Sequence, residues 1–162
     1  MRIFPLAALL AGCGTIDRSN SGLTAEECAS AEPQVFGFTI EPGDAVTGED
    51  GHLQPSLRFV IDFDDPDGDS HDIVLRTWWD TSIDGLVDTS ASGTEMSAEM
   101  VDDAGAPVAV CEGIGGALDV QVGVNGGNFA YSTTYDFAIT VTDAAGMESE
   151  PAFATATTPS AL

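Results

Sequence analysis

The sequence predicts an all-β protein whose two antiparallel sheets pack as a sandwich, and three observations support this prediction. Several short segments alternate between apolar and polar residues with a period of two, which is typical of strands that bury one face and expose the other. Clusters of Asp, Gly, Asn and Pro separate these segments, and most of the 18 glycines fall in such clusters. Long helical periodicity is missing. Seven or eight short strands in about 125 residues therefore indicate two stacked antiparallel sheets.

The strongest alternation occurs in three segments, and weaker patterns predict the remaining strands. The alternating apolar residues are Leu57, Phe59, Ile61 and Phe63, then Leu118, Val120, Val122 and Val124, and then Tyr135, Phe137, Ile139 and Val141. Further strands are predicted at Gln34–Ile40, Asp72–Asp80, Thr94–Val101 and Pro151–Thr157, with shorter ones at Leu86–Asp88 and Val108–Cys111. A turn is predicted at Pro42-Gly43-Asp44. Trp79 shares the parity of Ile73 and Leu75, so we expect Trp79, rather than Trp78, to pack between the sheets.

Composition limits the partners of this chain. It has 162 residues, of which 27 are acidic and 4 basic, for a formal net charge of −23. All four basic residues are arginines, and the sequence contains no lysine. Such a chain repels phosphate backbones, which excludes nucleic acid as a partner. The hydrophobic fraction of 43% is too high for a wholly disordered acidic chain.

The first thirteen residues have the pattern of an export signal. Met1-Arg2 carries the positive charge, Ile3 to Leu10 is a short apolar run, and Leu10-Ala11-Gly12-Cys13 follows. The last four residues resemble the lipobox of bacterial lipoproteins, a family in which the peptide before the cysteine is removed and the cysteine is lipidated. The resemblance implies a membrane-anchored exported protein with its lipid on Cys13. In a bacterium with two membranes, the resemblance also implies the outer membrane or cell surface, because Gly14 is not the aspartate that retains lipoproteins in the inner membrane. The alternative is an ordinary secretory signal with an incidental cysteine.

Two further cysteines, Cys28 and Cys111, remain after Cys13 is set aside. An even number of cysteines in an exported chain favours a disulfide, because the compartment is oxidising. The bridge would stabilise the fold by roughly 4 kcal/mol on the chain-entropy account. Two buried free thiols are the alternative. The predicted organisation is therefore a signal peptide at 1–12, the lipidated cysteine and a polar tether at 13–32, and a sandwich domain at 33–158.

Two stretches carry a resemblance to known domains. Tyr135 to Gly146 reads YDFAITVTDAAG, and Phe63 to Gly85 contains DPDGD, IVLRTWWD and IDG. They resemble bacterial immunoglobulin-like, fibronectin type III-like and PKD-like domains, in which a tyrosine opens an alternating strand and an Asp-x-x-Gly turn leads to the last strand. The resemblance implies an immunoglobulin-like sandwich with Tyr135 and Trp79 as core markers. It also implies binding, adhesion or spacing rather than catalysis.

The densest group of acidic residues follows the predicted second strand. Flexible carboxylate-rich loops supply the oxygen ligands that calcium prefers. The candidate ligands are Asp64, Asp65, Asp67, Asp69 and Asp143, because the topology of an immunoglobulin-like sandwich brings Asp143 to the same end. A calcium-dependent adhesion or spacer module is therefore an alternative function. Two simpler explanations are a solvated turn and adaptation to high salt, where self-repulsion is screened.

Motifs for catalysis are weak. His52 and His71 lie in predicted exposed loops without the spacing of a zinc site, and no Gly-x-Ser-x-Gly element is present. We therefore expect a non-catalytic envelope protein that binds an unidentified protein or glycan. An accessory carbohydrate-binding domain is a second alternative, and its exposed aromatic candidates are Trp78, Phe129 and Tyr131.

Overall fold

The computed structural model describes residues 31–48, 50–65, 72–99, 114–125, 127–143 and 145–162. These residues form seven strands and no helix. The strands are β1 (Gln34–Thr47), β2 (Leu53–Asp65), β3 (Asp72–Asp80), β4 (Thr94–Glu99), β5 (Ile114–Gly123), β6 (Thr134–Thr142) and β7 (Ala152–Thr157). Across the described ranges, no helix is long and apolar enough to span a membrane.

The strands form two antiparallel sheets. Sheet A has three strands in the order β1-β2-β5, and sheet B has four in the order β4-β3-β6-β7. Every pair of hydrogen-bonded neighbours is antiparallel. The predicted all-β fold with two antiparallel sheets is therefore confirmed for the part of the chain that the structure describes.

The core lies between the sheets and is built by the alternating residues. Phe59 of β2 contacts Phe38 of β1 and Phe137 of β6, with ring centroids 5.8 and 5.5 Å apart. Because Phe59 belongs to sheet A and Phe137 to sheet B, this aromatic contact joins the two sheets. Val120 of β5 and Ile139 of β6 are also buried. The apolar residues that alternate in the sequence thus form one hydrophobic core shared by the two sheets.

Two local predictions are wrong. The predicted turn at Pro42-Gly43-Asp44 lies inside β1, which continues to Thr47 with a bulge between Gly43 and Val46. A proline is tolerated there because β1 is an edge strand and its free side needs no backbone donor. The hairpin turn falls later, where the Gly48 amide donates to the His52 carbonyl at 2.8 Å.

Leu86–Asp88 is not a strand, and it belongs instead to a loop at residues 81–93, here called the covering loop. Its aspartates hold the local backbone in turns, since the carboxylates of Asp84 and Asp88 accept from the amides of Leu86 and Ser90, both at 2.9 Å. The predicted strand at Val108–Cys111 and the last residues of Thr94–Val101 lie outside the described residues.

The strand directions define two ends of the sandwich. β1 begins beside the end of β2, with Gln34 opposite Asp64. β6 ends beside the start of β3, with Thr142 opposite Val74. We call this the entry end. The opposite end holds the β1–β2 turn, the start of β6 and the end of β7, and is called the far end.

Candidate functional site

The predicted acidic ligands lie at the entry end, and two of them point inward. Asp65 lies two residues after the buried Phe63, on the inward side of β2, and is fully buried. Asp143 lies two residues after the buried Val141, on the inward side of β6, and is 4% exposed. They come from facing sheets. Asp64 lies on the outer face of β2 and is partly exposed. Asp67 and Asp69 lie outside the described residues.

The Asp143 carboxylate shapes the turn after β6. Its Oδ1 accepts from the Met147 amide at 2.8 Å, and the Asp143 amide donates to the Met147 carbonyl at 3.0 Å. Within the described ranges, no three His, Cys, Asp or Glu side chains are grouped closely enough to hold a metal ion. The described candidate ligands are thus two inward carboxylates, Asp65 and Asp143, and the outward Asp64.

The other predicted site residues are partly outside the described chain. Cys13, Cys28, Cys111 and His71 all lie outside the described residues. His52 is exposed, and its backbone amide donates to the Asp50 carboxylate at 3.0 Å.

Tyr135 lies at the beginning of β6 and is 8% exposed. Its hydroxyl accepts a hydrogen bond from the Ala130 amide at 2.9 Å, five residues upstream. The ring also packs on Phe129, with the two centroids 5.6 Å apart. Tyr135 therefore ties the connection between β5 and β6 to the core.

The adjacent tryptophans face opposite sides of sheet B. Trp79 packs against the core, with its ring centroid 4.8 Å from that of Phe129. Trp78 lies on the outer face, yet only 8% of it is exposed, because the covering loop lies over it. Its indole Nε1 donates to the Ala91 carbonyl at 2.8 Å. The backbone of Gly93 is so close that a Cβ there would lie 2.7 Å from Trp78.

The aromatic candidates for carbohydrate binding do not form an exposed surface. Trp78 and Phe129 are buried, and only Tyr131 of the three is exposed, at 37%. A sugar-binding platform needs accessible ring faces. These three residues therefore do not provide one.

A concavity that the sequence did not indicate lies on the outer face of sheet B near the far end. Its volume is about 210 Å³. The lining residues are Gly85, Asp136, Phe137, Phe153, Ala154 and Thr155. We call it the Asp136 notch. Gly85, Phe153 and Thr155 are exposed, so the rim is open, whereas Asp136 at the floor is only 2% exposed.

Asp136 links the sheet to the covering loop. The Thr155 hydroxyl on β7 donates to its Oδ1, and the Gly85 amide in the loop donates to its Oδ2 at 2.7 Å. These hydrogen bonds lower the pKa of Asp136 below its ordinary value, and the one from Thr155 has the largest effect. The carboxylate is therefore ionised at neutral pH. In the sequence Asp136 is simply one polar member of an alternating strand, so no pattern distinguishes it.

The covering loop contains a strained residue beside this contact. Ile83 has a φ of 44°, a conformation that a β-branched side chain rarely adopts and that costs of order 1–3 kcal/mol. Gly85 has a φ of 76°, which glycine adopts without penalty. Ile83 and Leu86 are both exposed, at 46% and 70%. The loop thus presents two apolar side chains next to the notch.

The two arginines of the described chain are engaged elsewhere. Arg58 on sheet A binds Asp119, with Nε 2.8 Å from Oδ2, and this hydrogen bond raises the pKa of Arg58. Arg76 on sheet B binds Glu95 and Glu148, each at 2.9 Å, and the hydrogen bond to Glu95 is the largest cause of its raised pKa. All three ion pairs are partly exposed. The hydrogen-bond donors at Asp136 are therefore neutral groups.

The fold and these sites define the class of the molecule as an acidic two-sheet antiparallel sandwich with inward carboxylates at one end and a small anionic notch near the other. Comparison with known proteins adds no relative: no protein-family model, no curated protein and no solved structure matches the chain.

Proposed function

We propose that the protein is a lipid-anchored, non-catalytic component of the bacterial cell envelope that presents a β-sandwich for binding or adhesion. The observation that carries the proposal is Leu10-Ala11-Gly12-Cys13 directly after an apolar run, followed by a polar segment up to residue 32. The first strand begins at Gln34. Lipid on Cys13 would hold the domain at a membrane, and residues 14–32 would act as a spacer.

The sandwich itself is proposed to be immunoglobulin-like, of the fibronectin type III-like kind. If β1 to β7 are lettered A, B, C, C′, E, F and G, the sheets have the orders A-B-E and C′-C-F-G. The bond between the Tyr135 hydroxyl and the Ala130 amide matches the tyrosine corner at the start of strand F in such domains. Both observations support the resemblance seen in the sequence.

This arrangement would orient the domain. Because β1 begins at the entry end, the spacer would join the sandwich there, and the entry end would face the membrane. The far end, with the Asp136 notch nearby, would then face away from it. A surface that binds a partner is most accessible at that end.

Metabolic labelling tests the lipid anchor. The full chain, expressed in a bacterium supplied with an alkyne-tagged fatty acid, is expected to take up the label and to sediment with membranes. Cys13→Ser should abolish both, whereas the matched control Cys28→Ser should keep the label. An unlabelled wild-type chain in the soluble fraction would contradict the proposal.

Calcium binding at the entry end is a second candidate function, favoured by one observation. Asp65 and Asp143 are both buried carboxylates on the inner faces of opposite sheets at that end. Carboxylates that face one low-dielectric layer from opposite sheets would repel each other when ionised, and a hard cation bound at that end would relieve the repulsion. Asp64, Asp67 and Asp69 complete the ligand set predicted from sequence.

Calorimetric titration tests this candidate. Calcium is expected to bind the full chain with measurable heat, and Asp143→Asn should weaken the binding. Asp62→Asn, which removes an exposed carboxylate of β2, is the control. No heat at millimolar calcium would reject the site. If sodium at matched ionic strength stabilises the protein against unfolding as much as calcium does, simple screening of the acidic surface is favoured instead.

A further inference from the structure

The Asp136 notch combines a negative floor with an open rim. The carboxylate is 2% exposed, and its partners are the Thr155 hydroxyl and backbone amides of the covering loop. A carboxylate has about four acceptor positions, and the donors from Thr155, Gly85 and Asp84 fill at most three of them. The floor therefore retains the capacity to accept a further hydrogen bond from a ligand in the notch.

One wall of the notch is aromatic. Phe153 lies on the outer face of β7, two residues before Thr155, and is 47% exposed. An exposed ring beside a carboxylate suits a ligand with an aliphatic stem and a cationic head, since the stem packs on the ring while the head reaches the charge. Lysine and arginine side chains have this form.

The size of the notch restricts the ligand. Its volume of about 210 Å³ is below the roughly 300 Å³ at which pockets for drug-sized molecules begin. A sugar chain or a nucleotide cofactor would not be enclosed. A single long side chain, projecting from a larger partner that remains outside, fits this volume.

The rim offers contacts for the rest of such a partner. Ile83 and Leu86 of the covering loop are exposed apolar side chains on either side of Asp84 and Gly85, and Gly85 lines the notch. Ile83 is held at a positive φ, and strained backbone of this kind clusters at ligand clamps. Apolar neighbours of a basic residue would pack on these two side chains.

Charge complementarity indicates the sign of the partner. The chain has a formal net charge of −23 and no lysine, and both arginines of the described residues are bound to carboxylates away from the notch. A basic surface would be attracted over a long range and steered toward the domain. Long-range attraction by the net charge does not define a binding site on the surface, whereas the notch does.

We propose that the Asp136 notch binds one lysine or arginine side chain of a partner protein, with the stem of that side chain on Phe153 and its charged head on the Asp136 carboxylate. This inference rests on the proposed function, because it names the surface through which a binding domain would contact its partner. The notch lies near the far end, which an entry-end anchor would leave accessible.

The test uses small probes and amide resonances of the full chain carrying Cys13→Ala, which cannot be lipidated. N-acetyl-lysine methylamide is titrated into the ¹⁵N-labelled protein at about 0.15 M salt, where surface attraction is screened. Saturable shifts are expected at Gly85, whose amide donates to Asp136, and at Phe153. N-acetyl-norleucine methylamide, which has a similar stem without the charge, should leave both resonances unchanged.

Matched variants separate the notch from the general charge. Asp136→Asn should weaken binding by roughly tenfold or more, as expected for the loss of a charge-assisted hydrogen bond. Asp44→Asn removes one exposed carboxylate on β1, outside the notch and the covering loop, and should bind like the wild type. Phe153→Ala should weaken binding about two- to fivefold, whereas Phe36→Ala, which removes another exposed ring on β1, should have no effect.

Three outcomes would overturn the inference. They are no shift at Gly85, equal binding of the lysine and norleucine probes, and equal losses in Asp136→Asn and Asp44→Asn. Asp136→Asn also alters the contact with the Gly85 amide of the covering loop, so Phe153→Ala, at an exposed position, provides a second and independent test. None of these results bears on lipidation of Cys13, so a failure here is distinguishable from a failure of the proposed function.

Discussion

β2 and β6 have the same alternation in sequence and opposite environments on their outer faces. Each lies inside its sheet and sends its apolar residues into the core. On the outer face of β2, Asp62 is exposed and Val60 is partly exposed. On the outer face of β6, Asp136, Ala138 and Thr140 are all buried.

The covering loop accounts for much of this difference. It returns from the far end across sheet B and contacts that sheet at Trp78 and Asp136. Ala138 lies between Trp78 of β3 and Phe153 of β7 in the cross-strand register, so its small side chain is enclosed by two rings. Alternation therefore identifies the inner face of a strand, while the exposure of its outer face depends on distant segments.

The largest expected effect comes from placing a charge on each outer face. Ala138→Lys puts an ammonium group into a fully buried position and should lower the free energy of unfolding by about 3–5 kcal/mol. Val60→Lys is the matched change on β2. Its position lies opposite Asp119, and it should change the free energy of unfolding by less than about 1 kcal/mol. Chemical denaturation measures both. Equal losses would show that the two outer faces are equivalent.

A smaller effect is expected from releasing the covering loop. Trp78→Phe removes the indole donor to the Ala91 carbonyl and should lower the free energy of unfolding by about 1 kcal/mol. Hydrogen exchange should accelerate at the amides of residues 81–93, Gly85 included. Trp79→Phe alters the ring on the inner face and should leave exchange in the loop unchanged. Faster loop exchange in Trp79→Phe alone would reverse this assignment.

The Asp136 carboxylate should contribute a pH-dependent part of the stability. Its hydrogen bonds lower its folded-state pKa below the ordinary value of 3.8, so the unfolded chain binds more protons between these two values. The contribution is therefore present above pH 3.8 and is lost as the pH falls through the folded-state pKa. The free energy of unfolding is measured by chemical denaturation at about pH 5 and at lower pH. The difference in this free energy between the wild type and Asp136→Asn should become smaller as the pH falls. Asp44→Asn, which removes an exposed carboxylate on β1, is the control for the loss of one charge. A difference in free energy of unfolding that stays constant with pH would contradict the expectation.

The smallest effect is expected from the ion pairs on the two outer faces. Arg76→Gln breaks partly exposed bonds to Glu95 and Glu148, and its loss should be about 1 kcal/mol or less and decrease with added salt. Arg58→Gln on sheet A is the comparison and should show the same salt dependence. A large loss in Arg76→Gln that is insensitive to salt would indicate that its packing over Trp78, 6.0 Å from the ring centroid, matters more than its charge.

Several elements could be predicted because their cause is local. The bounds of β3 agree with the predicted strand, and those of β6 and β7 differ by one residue. Trp79 lies on the inner face, as parity with Ile73 and Leu75 indicates. A period of two needs no knowledge of the partner strand, since successive side chains of a strand point to opposite faces.

One failed prediction has a tertiary cause and the other a local one. Proline and glycine in Pro42-Gly43-Asp44 indicate a turn, but an edge strand with a bulge accommodates both. The apolar pair in Leu86–Asp88 indicates a strand, but Asp84 and Asp88 hold the backbone in turns instead. The first outcome is not visible in the local pattern, because it depends on which strand lies alongside. The second has a local cause, the hydrogen bonds that the Asp84 and Asp88 carboxylates accept two residues along the chain.

The sequence by itself determined the all-β class, the inner faces of the strands and the strongly acidic character, because each follows from residue type and spacing along the chain. Only the tertiary structure decided that Asp65 and Asp143 point inward at one end, and that Asp136 lies under the covering loop near the other. Their positions depend on sheet order, register and loop placement, and these are set by contacts between residues that are far apart in the chain.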